Sequence, residues 1–225
     1  MKIKICGIVC LEDALIAASL GADALGFLVG VRHRAEDAIP ANEARRIVHS
    51  LPPFVASVLV THLTEAEPII KLWQEIGTTA IQLHDDTPLF ELRTLRQRLP
   101  GVSLTKAVHI TGPEAVDKAV SYQGLVNAIV VDTVMSTEDR IGGTGRTHDW
   151  EISRRIRETC SLPLILAGGL TPDNVALAVR SVKPYAVDVN SGVEDPQGRP
   201  KGRKDPERLK AFIATAREAA RLLGL

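Results

Sequence analysis

Ala167-Gly168-Gly169-Leu170 and Asn190-Ser191-Gly192-Val193-Glu194 each follow a short apolar run and precede a helix-like stretch. Small residues at such turns let backbone N–H groups approach a phosphoryl oxygen, and the positive end of a following helix favours an anion. Two such turns in successive strand–helix units match the phosphate site that an α/β protein of the (β/α)8 barrel type builds after its seventh and eighth strands.

Working outward from these turns, the rest of the chain repeats the same alternation. Apolar runs predict strands at Ile3–Cys6, Ala24–Val29, Ala56–Val60, Ala80–Leu83, Ser103–Ala107, Ala128–Asp132, Leu164–Leu166 and Tyr185–Val189. Helical spacing fills the intervals at Glu12–Leu20, Ala41–Ser50, Glu65–Ile76, Leu89–Arg98, Asp149–Thr159, Asp173–Val182 and Pro206–Leu223, with Thr111–Val120 the weakest pattern. Strands alternating with helices imply a parallel sheet with both faces covered. Helix starts are expected at Thr64 before Glu65, at Thr171-Pro172-Asp173 with proline in the first turn, and at Asp205-Pro206-Glu207. The stretch Gly198-Arg199-Pro200-Lys201-Gly202-Arg203-Lys204 reads as a mobile, solvated basic loop.

Size and charge agree with one barrel domain over residues 1–225. A chain of 225 residues with 45% hydrophobic content can bury a large core without a second domain. Its 27 basic and 27 acidic residues cancel, which gives no electrostatic reason for a nucleic-acid or anionic-membrane partner. Three cysteines, no signal-peptide pattern after Met1 and no apolar run of membrane-spanning length point to a reducing cytoplasm. Cys6 and Cys10 lack a second matching pair or clustered histidines, so no metal site is expected.

In such a barrel the C-terminal strand ends face the active site, which selects Cys6, His84, Asp132 and Asp188. Alternation places Lys4 on the same strand face as Cys6, and Gln82 on that of His84. An ammonium beside Cys6 favours the thiolate and makes it a better base; the competing reading is a small buried apolar residue. Asp132 ends the run Asn127-Ala128-Ile129-Val130-Val131, where a parallel core strand has no use for a carboxylate unless it is paired, solvated or functional. Gly142-Gly143-Thr144-Gly145 follows it in a stretch able to close over a ligand and lend backbone donors.

These pieces, in order, resemble the phosphoribosylanthranilate isomerase family of tryptophan biosynthesis. The resemblance is carried by Lys4-Ile5-Cys6-Gly7-Ile8 with Glu12-Asp13-Ala14, by Gln82-Leu83-His84, and by Val131-Asp132-Thr133 followed by Gly142–Gly145 and Asp149-Trp150. It continues through Leu166–Val175 and Pro184–Glu194 to Lys204-Asp205. The resemblance implies a cofactor-free Amadori rearrangement of an N-linked ribosyl phosphate into a 1-amino-2-ketose. It makes Asp132 the general acid at the ring oxygen and Cys6 the general base at C2. It places the phosphate on Gly168, Gly169, Ser191 and Gly192 with help from Gly143 and Gly145, and gives Asp188 the sugar hydroxyls; Lys4 and His84, from their strand faces, and Arg34, from its loop, are further candidate substrate contacts. Members of the family occur as monomers and dimers.

One loop departs from the pattern. Where the family carries an arginine for the anthranilate carboxylate, the segment Gly30–Ile39 is about two residues longer, and counting back from Ile39 puts Asp37 there. Either Arg32 or Arg34 takes the role, or the substrate is another aminoaldose phosphate; a non-catalytic phosphosugar-binding barrel is a third reading. Asp85, Thr61 and Asn190 are milder departures, at positions where Gly, Asn and Ser are usual.

Overall fold

Eight parallel strands close on themselves in chain order: β1 (Lys2–Ile5), β2 (Ala24–Leu28), β3 (Ala56–Thr61), β4 (Ala80–Leu83), β5 (Ser103–Ile110), β6 (Ala128–Thr133), β7 (Leu164–Leu166) and β8 (Ala186–Val189). The computed structural model describes residues 1–32, 37–133, 149–197 and 201–225. Helices α1 (Leu11–Ser19), α2 (Ala41–Val48), α3 (Ala66–Ile76), α4 (Leu89–Arg98), α5 (Ala115–Ser121), α6 (Trp150–Thr159), α7 (Val175–Val182) and α8 (Pro206–Leu222) follow the strands one by one. Closure comes from β8 pairing with β1, with Lys4 opposite Asp188. No helix among the described residues is long and apolar enough to cross a membrane.

Alternation along each strand divides the core. Ile3, Ile5, Leu25, Phe27, Leu59, Ile81, Leu83, Val131 and Val187 join the helices' apolar faces in one large cluster. A second, smaller cluster of Cys6, Leu28, Val58, Val60 and Ala80 fills the barrel interior. Period-two geometry therefore puts Lys4, Cys6, Gln82, His84, Asp132 and Asp188 on the inner face and at or near its C-terminal rim.

The expected elements are found, with boundaries shifted at several ends. β5 runs three residues past the expected Ala107, because β6 pairs with it as far as Ile110 opposite Thr133. The weak Thr111–Val120 pattern resolves into the shorter α5. Asp205 caps α8 by accepting from the Arg208 N–H at 2.8 Å, as expected. Two other starts differ. α3 begins after Glu65, and the Ala66 N–H donates to Glu91 Oε2 at 2.9 Å; Thr64 supplies no cap. α7 begins only at Val175, because Asn174 accepts from the Thr171 N–H and donates to the Gly169 carbonyl, holding Thr171–Asn174 as a turn.

Arg203 and Lys204, expected in a mobile, solvated loop, are instead anchored to the barrel. Arg203 pairs with Asp13 at 2.9 Å and Glu12 at 2.6 Å, and Lys204 is buried with its Nζ 2.7 Å from Asn190 Oδ1. Asp13 is itself buried, and a buried carboxylate requires such partners. The cations the sequence assigns to solvent instead fasten the loop to α1 and to the end of β8.

Candidate active site

Two turns at the C-terminal rim set the geometry first. After β7 the chain passes through Gly168 and Gly169, both in the left-handed region (φ 86° and 65°). After β8, Ser191–Val193 forms a 3₁₀ turn, whose leading N–H groups have no partner within the turn itself. A Cβ on Gly192 would lie inside the Leu170 carbonyl oxygen, so the two turns touch backbone to backbone. Arg208 donates twice to the Gly192 carbonyl, at 3.2 and 2.9 Å, fixing the orientation of that peptide. The four residues expected to bind phosphate, Gly168, Gly169, Ser191 and Gly192, are brought together. The expected helix end differs at the first turn, since α7 starts six residues past Gly169.

Between β1 and β8 lies a buried charge pair. Lys4 Nζ donates to Asp188 Oδ2 at 2.6 Å, and both side chains are about one-twentieth exposed. Burial alone would lower the lysine's pKa, but Asp188 and the Cys6 sulfur more than offset this and hold Lys4 charged. Among the described residues Asp188 Oδ1 has no hydrogen-bond partner, which leaves a buried acceptor open. Gly26 of β2 makes the crowding possible: a Cβ there would sit 2.7 Å from Cys6 Sγ and 3.2 Å from Lys4 Nζ.

Cys6 corrects one expectation. Burial pushes its thiol up to about 11; Lys4 pulls it down, as anticipated, but Asp188 and Asp37 push with the burial. Lys4 shares its charge with Asp188, so the resting residue is a thiol and the thiolate is a strong base once formed.

Asp132 holds its proton more tightly than an ordinary aspartate. Burial and the neighbouring Asp188 raise its carboxyl to about 6, against the opposing pull of the Thr133 N–H and of Lys4. Oδ1 accepts from that N–H at 2.7 Å, and Oδ2 lies 3.6 Å from His84 Nε2. His84 is held neutral: burial drives its pKa well below the ordinary 6.5, and His109, His62, Lys4 and Lys106 push the same way.

Of the expected site residues, Lys4, Cys6, His84, Asp132 and Asp188 thus meet at one rim. Gly143, Gly145 and Arg34 lie outside the described residues. Arg32, the other candidate for the carboxylate, donates to Thr64 Oγ1 at 3.1 Å. Asp37 does not stand bare in the site. Its Oδ2 accepts from Asn190 Nδ2 at 2.7 Å, and Asn190 Oδ1 accepts from Lys204 Nζ, so one amide links the carboxylate to a buried cation. Sequence reasoning missed that bridge and the neighbours His62 and His109 of His84. It also missed Gly26, although a glycine inside a strand is a signal of close approach.

An eight-stranded parallel barrel that gathers a raised carboxyl, a buried thiol and two glycine turns at its C-terminal rim is built as an enzyme. The family model described as N-(5'-phosphoribosyl)anthranilate (PRA) isomerase matches residues 3–215. N-(5'-phosphoribosyl)anthranilate isomerase 2 of Methanosarcina mazei is 44% identical over 217 residues, 96% of this chain and 94% of the relative. The crystal structure of phosphoribosyl anthranilate isomerase from Thermotoga maritima superposes with a TM-score of 0.83 at 36% identity, covering 97% of this chain and 99% of the other. A crystal structure of phosphoribosyl anthranilate isomerase in complex with reduced 1-(o-carboxyphenylamino)-1-deoxyribulose 5-phosphate gives 0.81 at 35% identity with the same coverage. The chain belongs to the N-(5'-phosphoribosyl)anthranilate isomerase family.

Proposed function

We propose that this barrel converts N-(5'-phosphoribosyl)anthranilate into 1-(o-carboxyphenylamino)-1-deoxyribulose 5-phosphate, with Asp132 as general acid and Cys6 as general base. The observation that carries the reading is the raised Asp132 carboxyl, set with Cys6, Lys4 and Asp188 on the rim that also holds the glycine turns.

The substrate phosphate rests on the backbone of Gly168–Gly169 and Ser191–Gly192, and Asp188 Oδ1 accepts a sugar hydroxyl. Asp132 gives its proton to the ring oxygen, the C1–O bond breaks, and the nitrogen lone pair forms the protonated imine. Its positive charge arises beside Cys6 and favours loss of the thiol proton to solvent, which leaves the thiolate there. The thiolate removes the C2 proton, the C2–H electrons form the C1–C2 double bond, and the nitrogen recovers its pair. Tautomerisation of this enolamine gives the ketone. Asp37, bridged through Asn190 to Lys204, leaves the aglycone carboxylate to other cations, and Arg34 is our candidate. We place its action in the cytoplasm, where the free thiols of Cys6, Cys10 and Cys160 stay reduced.

The test is a steady-state fluorescence assay with freshly generated phosphoribosylanthranilate on the wild type, Asp132→Asn and Cys6→Ser. Turnover by the wild type, lowered about 10²- to 10⁴-fold in each variant with little change in KM, is expected for groups acting in proton transfer. A folded wild type that binds a phosphosugar without turning over this substrate would overturn the proposal.

A further inference from the structure

Around His84 the barrel rim holds polar groups to which the reaction assigns no part. Its ring is stacked on His62 of the β3 end, with centroids 5.4 Å apart and planes 18° from parallel. His109 of β5 meets it edge-on at 5.2 Å and 80°, and its Nε2 donates to the His84 carbonyl at 2.9 Å. The two neighbours hold the plane of the His84 ring. They leave open which nitrogen carries its proton.

Gln82, two residues earlier on the same inner face, decides that. Its side-chain Nε2 lies 3.2 Å from His84 Nδ1, and an amide nitrogen can only donate. With the amide in this orientation Nδ1 is the acceptor, and a neutral imidazole then keeps its one N–H at Nε2. That nitrogen lies 3.6 Å from Asp132 Oδ2, too far for a hydrogen bond in the resting site.

We infer that Gln82 is a positioning residue that fixes His84 as its Nε2–H tautomer, so that the imidazole catches the Asp132 carboxylate as it gives up its proton. This deepens the proposed isomerisation and rests on it. Before transfer, the Thr133 N–H occupies Oδ1, so the acid proton sits on Oδ2, free to reach the ring oxygen. After transfer Oδ2 is anionic, and closing by about half an ångström makes a charge-assisted bond with Nε2–H. The interaction is stronger after transfer than before it, which is what lowers a barrier. In the opposite tautomer a bare Nε2 would accept the Asp132 proton and hold it away from the substrate. The titratable groups packed around the ring are His62, His109 and Asp132, and the more distant Lys4 and Lys106 add to the field that disfavours a positive charge on it.

The experiment compares the wild type with Gln82→Met, which keeps the side chain's length, and Gln82→Glu, which keeps its shape but turns the donor into an acceptor. Two readouts are taken: the ¹⁵N tautomer pattern of His84 by NMR, and kcat and KM with phosphoribosylanthranilate. The wild type should show the Nε2–H pattern. Gln82→Glu should lose it and lower kcat about 10- to 100-fold with KM within about threefold, and Gln82→Met should fall between. A merely structural role predicts the reverse order, since glutamate fills the space better than methionine. The inference is overturned if the wild-type ring carries Nδ1–H, or if kcat in Gln82→Glu equals that of the wild type. A wild type with the Nε2–H pattern and no turnover would instead strike the proposed isomerisation.

Discussion

Lys106 is fully buried on the outer face of β5, and its removal should stabilise the barrel at neutral pH. Its Nζ donates to the Ala107 carbonyl at 2.7 Å and lies 5.4 Å from the Tyr122 ring centroid. Burial lowers the ammonium's pKa from 10.5 to about 8; Asp86 and Asp85 oppose the shift and Lys118 adds to it. A lysine with a depressed folded-state pKa costs stability wherever both states are protonated. Below pH 8 the folded and unfolded chains both carry the charge, and the shift of about 2.5 units is worth about 3 kcal/mol at 1.36 kcal/mol per unit. Between pH 8 and 10.5 the unfolded chain binds the extra proton, so stability rises with pH and the cost disappears. Lys106→Met removes the cost and forfeits one hydrogen bond and a cation–π contact, together about 1–2 kcal/mol. The expected net gain at pH 7 is about 1–2 kcal/mol, about 2–8 °C in Tm for a chain of this size. Urea unfolding of both proteins at pH 7 and pH 10 measures it: the advantage at pH 7 should vanish or reverse at pH 10. A variant less stable at pH 7, or a difference equal at the two pH values, would refute the reasoning.

Two further outcomes follow from the rim. In Asp188→Asn the Asp132 carboxyl should titrate below its wild-type value near 6, because the Asp188 charge helps to raise it; ¹³C NMR of the carboxyl reads the midpoint, and an unmoved one would show that the two groups do not sense each other. Gly26→Ala should cost about 1–3 kcal/mol by overpacking, because the new methyl meets Cys6 Sγ and Lys4 Nζ. Urea unfolding tests it, and a variant as stable and active as the wild type would mean that the two side chains have room to separate.

The alternation of apolar runs with helical spacing, and the turns at Gly168-Gly169 and Ser191-Gly192, were legible because strand, helix and turn preferences act within a few residues. The strand order followed from the barrel reading, which rested on eight strand–helix units with two glycine turns after the seventh and eighth strands. The local signals also brought Cys6, His84, Asp132 and Asp188 to one rim, because period-two alternation settles which face a strand residue takes. What the tertiary structure alone decided depends on neighbours far apart in the chain. Lys4 and Asp188, 184 residues apart, meet only when β8 closes on β1, and that pair together with burial turns Cys6 from the expected thiolate into a thiol. Asp37 meets Asn190 across 153 residues, and Lys204 leaves the solvent for the same amide. Sequence fixes which groups are available at the rim, but proton affinity and pairing follow from desolvation and from distances of a few ångströms, and those exist only once the barrel has closed.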